Sequence, residues 1–170
     1  VNGELGVKKW ADNKNYTDST IDYKVEINTN KIMMKNAVIT DRFESLNGKN
    51  KSAMQLIEST LKLKTADGVV LSSPSDYELE KLAGDPDYKT GFVVELKGKY
   101  AETKETIIMS YTANYFIDEQ EKNEYGKPNI RFDNSAMITY IGEDGDTHTD
   151  GSEVAFWVDA KLAENGVKFG

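Results

Sequence analysis

Residues 21–27 read IDYKVEI. Ile21, Tyr23, Val25 and Ile27 alternate with Asp22, Lys24 and Glu26, a period of two that a strand sorts onto one apolar and one charged face. The same spacing recurs at Ala37, Ile39 and Phe43, at Leu61 and Leu63, and at Phe92, Val94 and Leu96. It returns over Ile107–Tyr115, Phe132–Tyr140 and Val154–Val158. Turn signals part these runs: Asn47-Gly48, Asp67-Gly68, Gly142-Glu143-Asp144-Gly145 and Asp150-Gly151. About eight or nine short strands at this rhythm predict an all-β antiparallel sandwich. Its expected core holds Phe43, Leu61, Phe92, Val94, Ile107, Phe132, Ile138 and Phe156, with Trp10 and Trp157 packed among apolar neighbours. One or two short helical turns are expected, over Lys51–Glu58 and Ser75–Ala83. In the second, Ser75 and Glu78 have the spacing of a capping box.

The chain of 170 residues, 38% hydrophobic, is long enough for one sizeable core and short for two. A single sandwich domain over residues 1–160 is expected, with 161–170 as a linker and the start of a following copy. Gly166-Val167-Lys168 repeats Gly6-Val7-Lys8 at a domain-sized distance, so the chain reads as one module of an array. A net charge of −8 and a pI near 4.8 argue against nucleic acid or an anionic membrane as partner. There is no cysteine, which removes disulfides and thiolate metal sites. No apolar run approaches the ~20 residues of a membrane helix, and no segment reads as a signal peptide.

The catalytic inventory is thin. The one histidine, His148, lies in GEDGDTHTDGSE, residues 142–153, and reads as an exposed hairpin residue. Glu143, Asp144, Asp146, Asp150 and Glu153 crowd the same loop and invite a calcium reading, but their spacing does not match an EF-hand; a solvated acidic turn is the favoured reading, with calcium left open as the alternative. Phosphate-cradling glycine loops, a nucleophile elbow and paired-histidine zinc motifs are missing. Neither a cofactor nor a metal is expected, nor turnover of an external substrate.

Three positions break the alternation. Leu5, Val7 and Lys9 share one face of a first strand; Ile39, Asp41 and Phe43 share another; Phe132, Asn134, Ala136 and Ile138 share a third. A lysine, an acid and an asparagine stand where core residues belong. Buried separately they would cost several kcal/mol apiece, so if buried they should meet.

WADNKNYTDSTIDYKVEINTN (10–30), KNAVITDRF (35–43), IESTLKLKTADG (57–68) and IRFDNSAMITYIGEDG (130–145) resemble the collagen-adhesin type of domain in Gram-positive cell-wall surface proteins. The resemblance covers most of residues 5–158 and is loose over 65–100. It implies a variant immunoglobulin-like fold with extra strands. The implied location is extracellular and cell-wall anchored. The implied partners are neighbouring domains of the same protein and an extracellular-matrix or host ligand, with the domain itself a monomer. Domains of this type commonly carry an intramolecular isopeptide bond between a first-strand lysine and a late-strand asparagine, assisted by an acid. Carried over, the resemblance implies a Lys9–Asn134 link with Asp41 as the catalytic acid. Lys8 remains an alternative, because aligning the opening and closing GVK pairs Lys8 with Lys168 and Lys9 with Phe169; strand parity favours Lys9.

The chemistry needs these three types. In an apolar site burial drives lysine towards the neutral amine, a nucleophile, and the acid towards its protonated form. The acid can then stabilise charge on the amide oxygen and relay protons until ammonia leaves. Two readings follow, a covalently locked stalk module and a ligand-binding adhesin module; tandem repetition favours the stalk.

Overall fold

The structure is a computed structural model that describes residues 4–44, 53–118 and 129–159. Ten strands run through these residues: β1 Val7–Asn15, β2 Thr20–Ile27, β3 Met34–Glu44, β4 Ala53–Thr65, β5 Tyr77–Glu80, β6 Gly91–Leu96, β7 Glu102–Thr103, β8 Ile107–Phe116, β9 Asn129–Ile141 and β10 Thr147–Asp159. They form a four-stranded sheet ordered β1-β2-β8-β4 and a six-stranded sheet ordered β10-β9-β3-β6-β5, in which β7 also pairs with β3. Every pairing between strands is antiparallel. The fold is the expected all-β immunoglobulin-like antiparallel sandwich. The turn signal Asn47-Gly48, the proposed linker 161–170 and its Gly166-Val167-Lys168 lie outside the described residues.

The opening motif sits at the centre of the smaller sheet. Ile21, Tyr23, Val25 and Ile27 are buried, while Asp22, Lys24 and Glu26 are only partly so. Between the sheets, Tyr23, Phe92, Tyr111, Tyr115, Phe132 and Phe156 build a run of aromatic contacts, with neighbouring ring centroids 4.9–6.3 Å apart. Of the expected core, Phe92, Val94, Ile107, Phe132, Ile138 and Phe156 are buried, and Phe43 and Leu61 pack partly buried against it.

Neither expected helical turn is present among the described residues. Ala53–Glu58 belongs to β4, where Met54 and Leu56 alternate inward opposite Tyr115 and Ala113 of β8. Ser75–Ala83 is a turn followed by β5, in which Tyr77 and Leu79 pair with Leu96 and Val94. Both segments lie beside a strand with open hydrogen-bonding groups, and ladder pairing outweighs a weak local helix propensity. The one helical turn described is a 3-10 turn at Gly98–Tyr100.

Two further expectations change. Asp150-Gly151 does not end a strand but lies inside β10, where Gly151 opposes Met137. A Cβ there would stand 2.7 Å from the Ala136 carbonyl, so the glycine serves close strand approach rather than a turn. The tryptophans are not core residues. Phe156 and Val158 take the inner parity of β10 and leave Trp157 48% exposed, with the Arg131 guanidinium over its ring at 5.7 Å. Trp10 is half-buried on the outward parity of β1, beneath Lys8 and Lys24.

At one side of the sandwich the edges β1 and β10 are joined through side chains. Gly6 N donates to Asp150 Oδ2 at 2.9 Å and Lys9 N donates to Ser152 Oγ at 3.0 Å. These bonds satisfy one amide just before β1 and one within it, and fix the strand that carries Lys9.

Candidate functional site

The three parity exceptions meet in the core. β1 supplies Lys9 from the smaller sheet; β3 and β9, adjacent in the larger sheet, supply Asp41 and Asn134. Their relative exposures are 5%, 0% and 1%. Lys9 Nζ lies 2.5 Å from Asp41 Oδ2. Asp41 pairs with Ala136 and Asn134 with Phe43, so the acid and the amide are diagonal neighbours on one face of the sheet. Lys8 lies on the other face of β1, exposed, with its ammonium 5.5 Å from the Trp10 ring centroid.

A residue that sequence reasoning missed ties the three together. The Tyr111 hydroxyl donates to Asp41 Oδ1 at 2.7 Å, and accepts from Lys9 Nζ at 3.2 Å and from Asn134 Nδ2 at 2.6 Å. One proton and two lone pairs are all a phenol has, so its hydrogen-bonding capacity is full. Tyr111 lies on the inward parity of β8 with Ile107, Met109, Ala113 and Tyr115. The available signal was chemical: a tyrosine on a core face must find a partner for its hydroxyl, where phenylalanine would need none.

Aromatic walls keep water out. Lys9 Nζ sits 5.1 Å from the Tyr23 ring centroid and 5.4 Å from that of Tyr111. Tyr111 is held by Tyr23 at 5.4 Å, Phe92 at 4.9 Å and Phe43 at 6.3 Å. Burial pulls the Lys9 ammonium below the usual lysine range, with the Asp41 charge opposing. Burial likewise pushes the Asp41 carboxyl upward, opposed by the charge and hydrogen bond of Lys9 and the hydrogen bond from Tyr111. Both shifts run towards a neutral amine beside a neutral acid. Burial, aided by the Asp41 charge, raises Tyr111 well above the ordinary tyrosine value and keeps it a proton donor. Among the described residues Asn134 Oδ1 is buried without a hydrogen-bond partner, and such an orphan costs about 1–3 kcal/mol.

The acidic hairpin is separate. His148 Nε2 approaches both Asp144 carboxylate oxygens, at 2.8 and 3.0 Å, and its ring stacks on Tyr140 at 5.6 Å. Among the described residues no group of three or more histidine and acidic side chains is arranged to hold a metal ion, and no helix is long and apolar enough to cross a membrane.

Fold and core together define an immunoglobulin-like antiparallel sandwich with a buried lysine, acid and asparagine between its sheets. The sequence matches no protein-family model and no curated protein. Among solved structures, the chain is similar to the collagen-binding subdomain of the Enterococcus faecalis surface protein ACE: 16% identity, TM-score 0.55, over 88% of this chain and 93% of that one. It is similar to the collagen-binding domain of a Staphylococcus aureus adhesin: 14% identity, TM-score 0.53, over 91% of this chain and 100% of that one. It is also similar to BcpA, the major pilin subunit of Bacillus cereus: 15% identity, TM-score 0.57, over 89% of this chain and 39% of that one. At these identities the likeness is one of fold.

Proposed function

We propose that this chain is a structural stalk module of a Gram-positive surface protein, locked by one amide bond between Lys9 Nζ and Asn134 Cγ that forms autocatalytically with Asp41. The observation that carries this reading is the convergence of Lys9, Asp41 and Asn134 in one dry pocket that spans both sheets. A structural ion pair has no need of a buried amide beside it, whereas a condensing pair needs the amide carbon as its electrophile.

Burial leaves Lys9 inclined to be an amine and Asp41 to be an acid. The amine attacks Asn134 Cγ, the amide nitrogen takes up a proton, and ammonia leaves. Folding supplies the placement, which can be worth ~7–11 kcal/mol of barrier. The product stays in the core, so the chain turns over nothing and needs no cofactor. Its partners are the neighbouring domains of the same cell-wall-anchored, extracellular protein, and the module itself is monomeric.

Accurate intact mass tests this. The purified domain should weigh one ammonia less than its sequence, and Lys9→Ala and Asp41→Ala should each restore the missing mass. A wild-type chain at full sequence mass would overturn the lock. A second reading, an adhesin module that contacts collagen, is favoured by the names of two similar structures, the ACE subdomain and the S. aureus domain.

A further inference from the structure

We propose that Tyr111 is a catalytic residue of the self-linking reaction, its hydroxyl carrying the proton that releases the Asn134 nitrogen as ammonia. This rests on the lock proposed above and names the atom that completes it.

The two Asp41 oxygens face different ways. Oδ2 meets the Lys9 amine, whereas Oδ1 meets the Tyr111 hydroxyl, and it is that hydroxyl which stands 2.6 Å from Asn134 Nδ2. Asp41 therefore contacts the nucleophile directly and reaches the leaving group through Tyr111. An acid with this division works on both sides at once. It takes a proton at one oxygen and gives one up at the other.

The Lys9 nitrogen lone pair forms a bond to Asn134 Cγ, and the carbonyl electron pair moves onto Oδ1 of Asn134. The attacking nitrogen, now carrying an extra bond, releases a proton to Asp41 Oδ2. Asp41 passes the proton it held on Oδ1 to the Tyr111 oxygen, and Tyr111 passes its own to Asn134 Nδ2. The carbonyl re-forms, the Cγ–Nδ2 bond breaks, and ammonia departs with the bonding pair. Asp41 and Tyr111 finish protonated, as they began, and the core gains no charge.

The hydroxyl hydrogen must turn from Asp41 to Asn134 during this exchange, a rotation about one bond that costs little. The ring cannot wander, because Tyr23, Phe92 and Phe43 hold it on three sides. A phenol in this role need never ionise, since it accepts one proton as it gives another. Phenylalanine would preserve the packing and break the chain of protons between acid and leaving group.

The test follows the mass of the chain over time after cell-free synthesis, with acid-quenched samples. Wild type should lose one ammonia during the time course. Tyr111→Phe should do so at least ~100-fold more slowly, the lower end of what a positioned proton donor contributes. Tyr115→Phe, which removes another buried tyrosine hydroxyl, one that hydrogen-bonds to none of Lys9, Asp41 and Asn134 among the described residues, should link like wild type. Circular dichroism checks that each variant folds. A fluorinated tyrosine placed at position 111 keeps the shape and changes the acidity of the phenol, so a relay should change its rate and a merely structural hydroxyl should not. Tyr111→Phe linking at the wild-type rate, or a rate indifferent to fluorination, would overturn the relay while leaving the lock intact. A wild type that never loses ammonia overturns both.

Discussion

Lys9 and Asp41 stand on opposite sheets of the sandwich and meet at 2.5 Å with neither side chain reaching solvent. Such a pair contributes little net stability while intact, yet removing one partner strands the other charge at a cost of about 3–5 kcal/mol. In the proposed lock the lysine would become an amide that joins the two faces covalently, and Asp41 would remain in the core, held towards its protonated form by burial. On the proposed function the buried pair is a pair of reactants rather than a brace.

The two adjacent lysines separate cleanly. Lys8 is exposed above Trp10, and Lys9 is in the core. Lys8→Ala should leave the ammonia deficit unchanged and alter stability by no more than about 0.5 kcal/mol, as for ordinary surface changes. Lys9→Met should abolish the deficit. Intact mass and urea unfolding of the two variants check this, and a deficit that follows Lys8 would reassign the nucleophile.

A link from β1 to β9 closes most of the chain into a loop. By analogy with a disulfide across ~100 residues, it should contribute on the order of 4–5 kcal/mol through the unfolded state. Asn134→Ala keeps Lys9 and Asp41 but cannot link, so its urea midpoint should fall accordingly. Limited proteolysis of the two forms gives an independent reading, because the linked chain opens more rarely.

Much of this was legible in the alternation of the sequence. The strands, the sandwich and the three misfit residues all follow from a period of two, and Lys9, Asp41 and Asn134 do lie together. What alternation missed has physical causes. β5 is four residues long, and the pairing of Tyr77 with Leu96 that makes it a strand is set by a partner distant in sequence. Hydrophobicity alone predicts an inward Trp157, but Phe156 and Val158 hold the inner parity. Tyr111 was invisible as a polar residue because a tyrosine passes for a core aromatic until its hydroxyl is located.

Gly91 sets the backbone beside Asp41. It pairs with Arg42 at φ +138°, and a Cβ there would collide with the Asp41 carbonyl oxygen. Gly91→Ala should therefore cost at least the ~1–3 kcal/mol of a strained backbone position. It should also slow the linking by shifting β3. Denaturation and the time course of ammonia loss measure the two effects. Unchanged values for both would show that β3 tolerates displacement here.

Stalk and adhesin readings part on binding. The isolated stalk module should bind immobilised collagen no better than an unrelated acidic protein. Any weak attraction of its −8 charge to basic surfaces should fade with added salt. Saturable, salt-resistant collagen binding in surface plasmon resonance would favour the adhesin.

The link should also leave a mark on the pH dependence of stability. In the unlinked Asn134→Ala form the native Lys9–Asp41 pair holds one proton, whether on nitrogen or on oxygen. Between the ordinary carboxylate and lysine ranges the unfolded pair also holds one, so it contributes no slope there. In the linked form the Lys9 nitrogen is an amide and carries no titrating proton. Asp41 then stands alone, raised by burial above its ordinary value of 3.8 and without the lysine charge that opposed the shift. Tyr23 and Tyr111, which face it, are pushed up by burial and stay protonated. The native linked state thus binds more protons than its unfolded chain. Its extra stability is fully present below 3.8 and is lost as pH rises through the elevated native value, by up to ~1.4 kcal/mol per pH unit. Asp85, where burial pushes upward but the hydrogen bonds together outweigh it, and Asp144, lowered first by a backbone hydrogen bond, contribute equally to the two forms and cancel in the difference. Urea unfolding of linked and unlinked proteins from about pH 4 to 8 should show the linked form's advantage shrinking as pH rises. Parallel curves would mean that Asp41 titrates normally beside the finished bond.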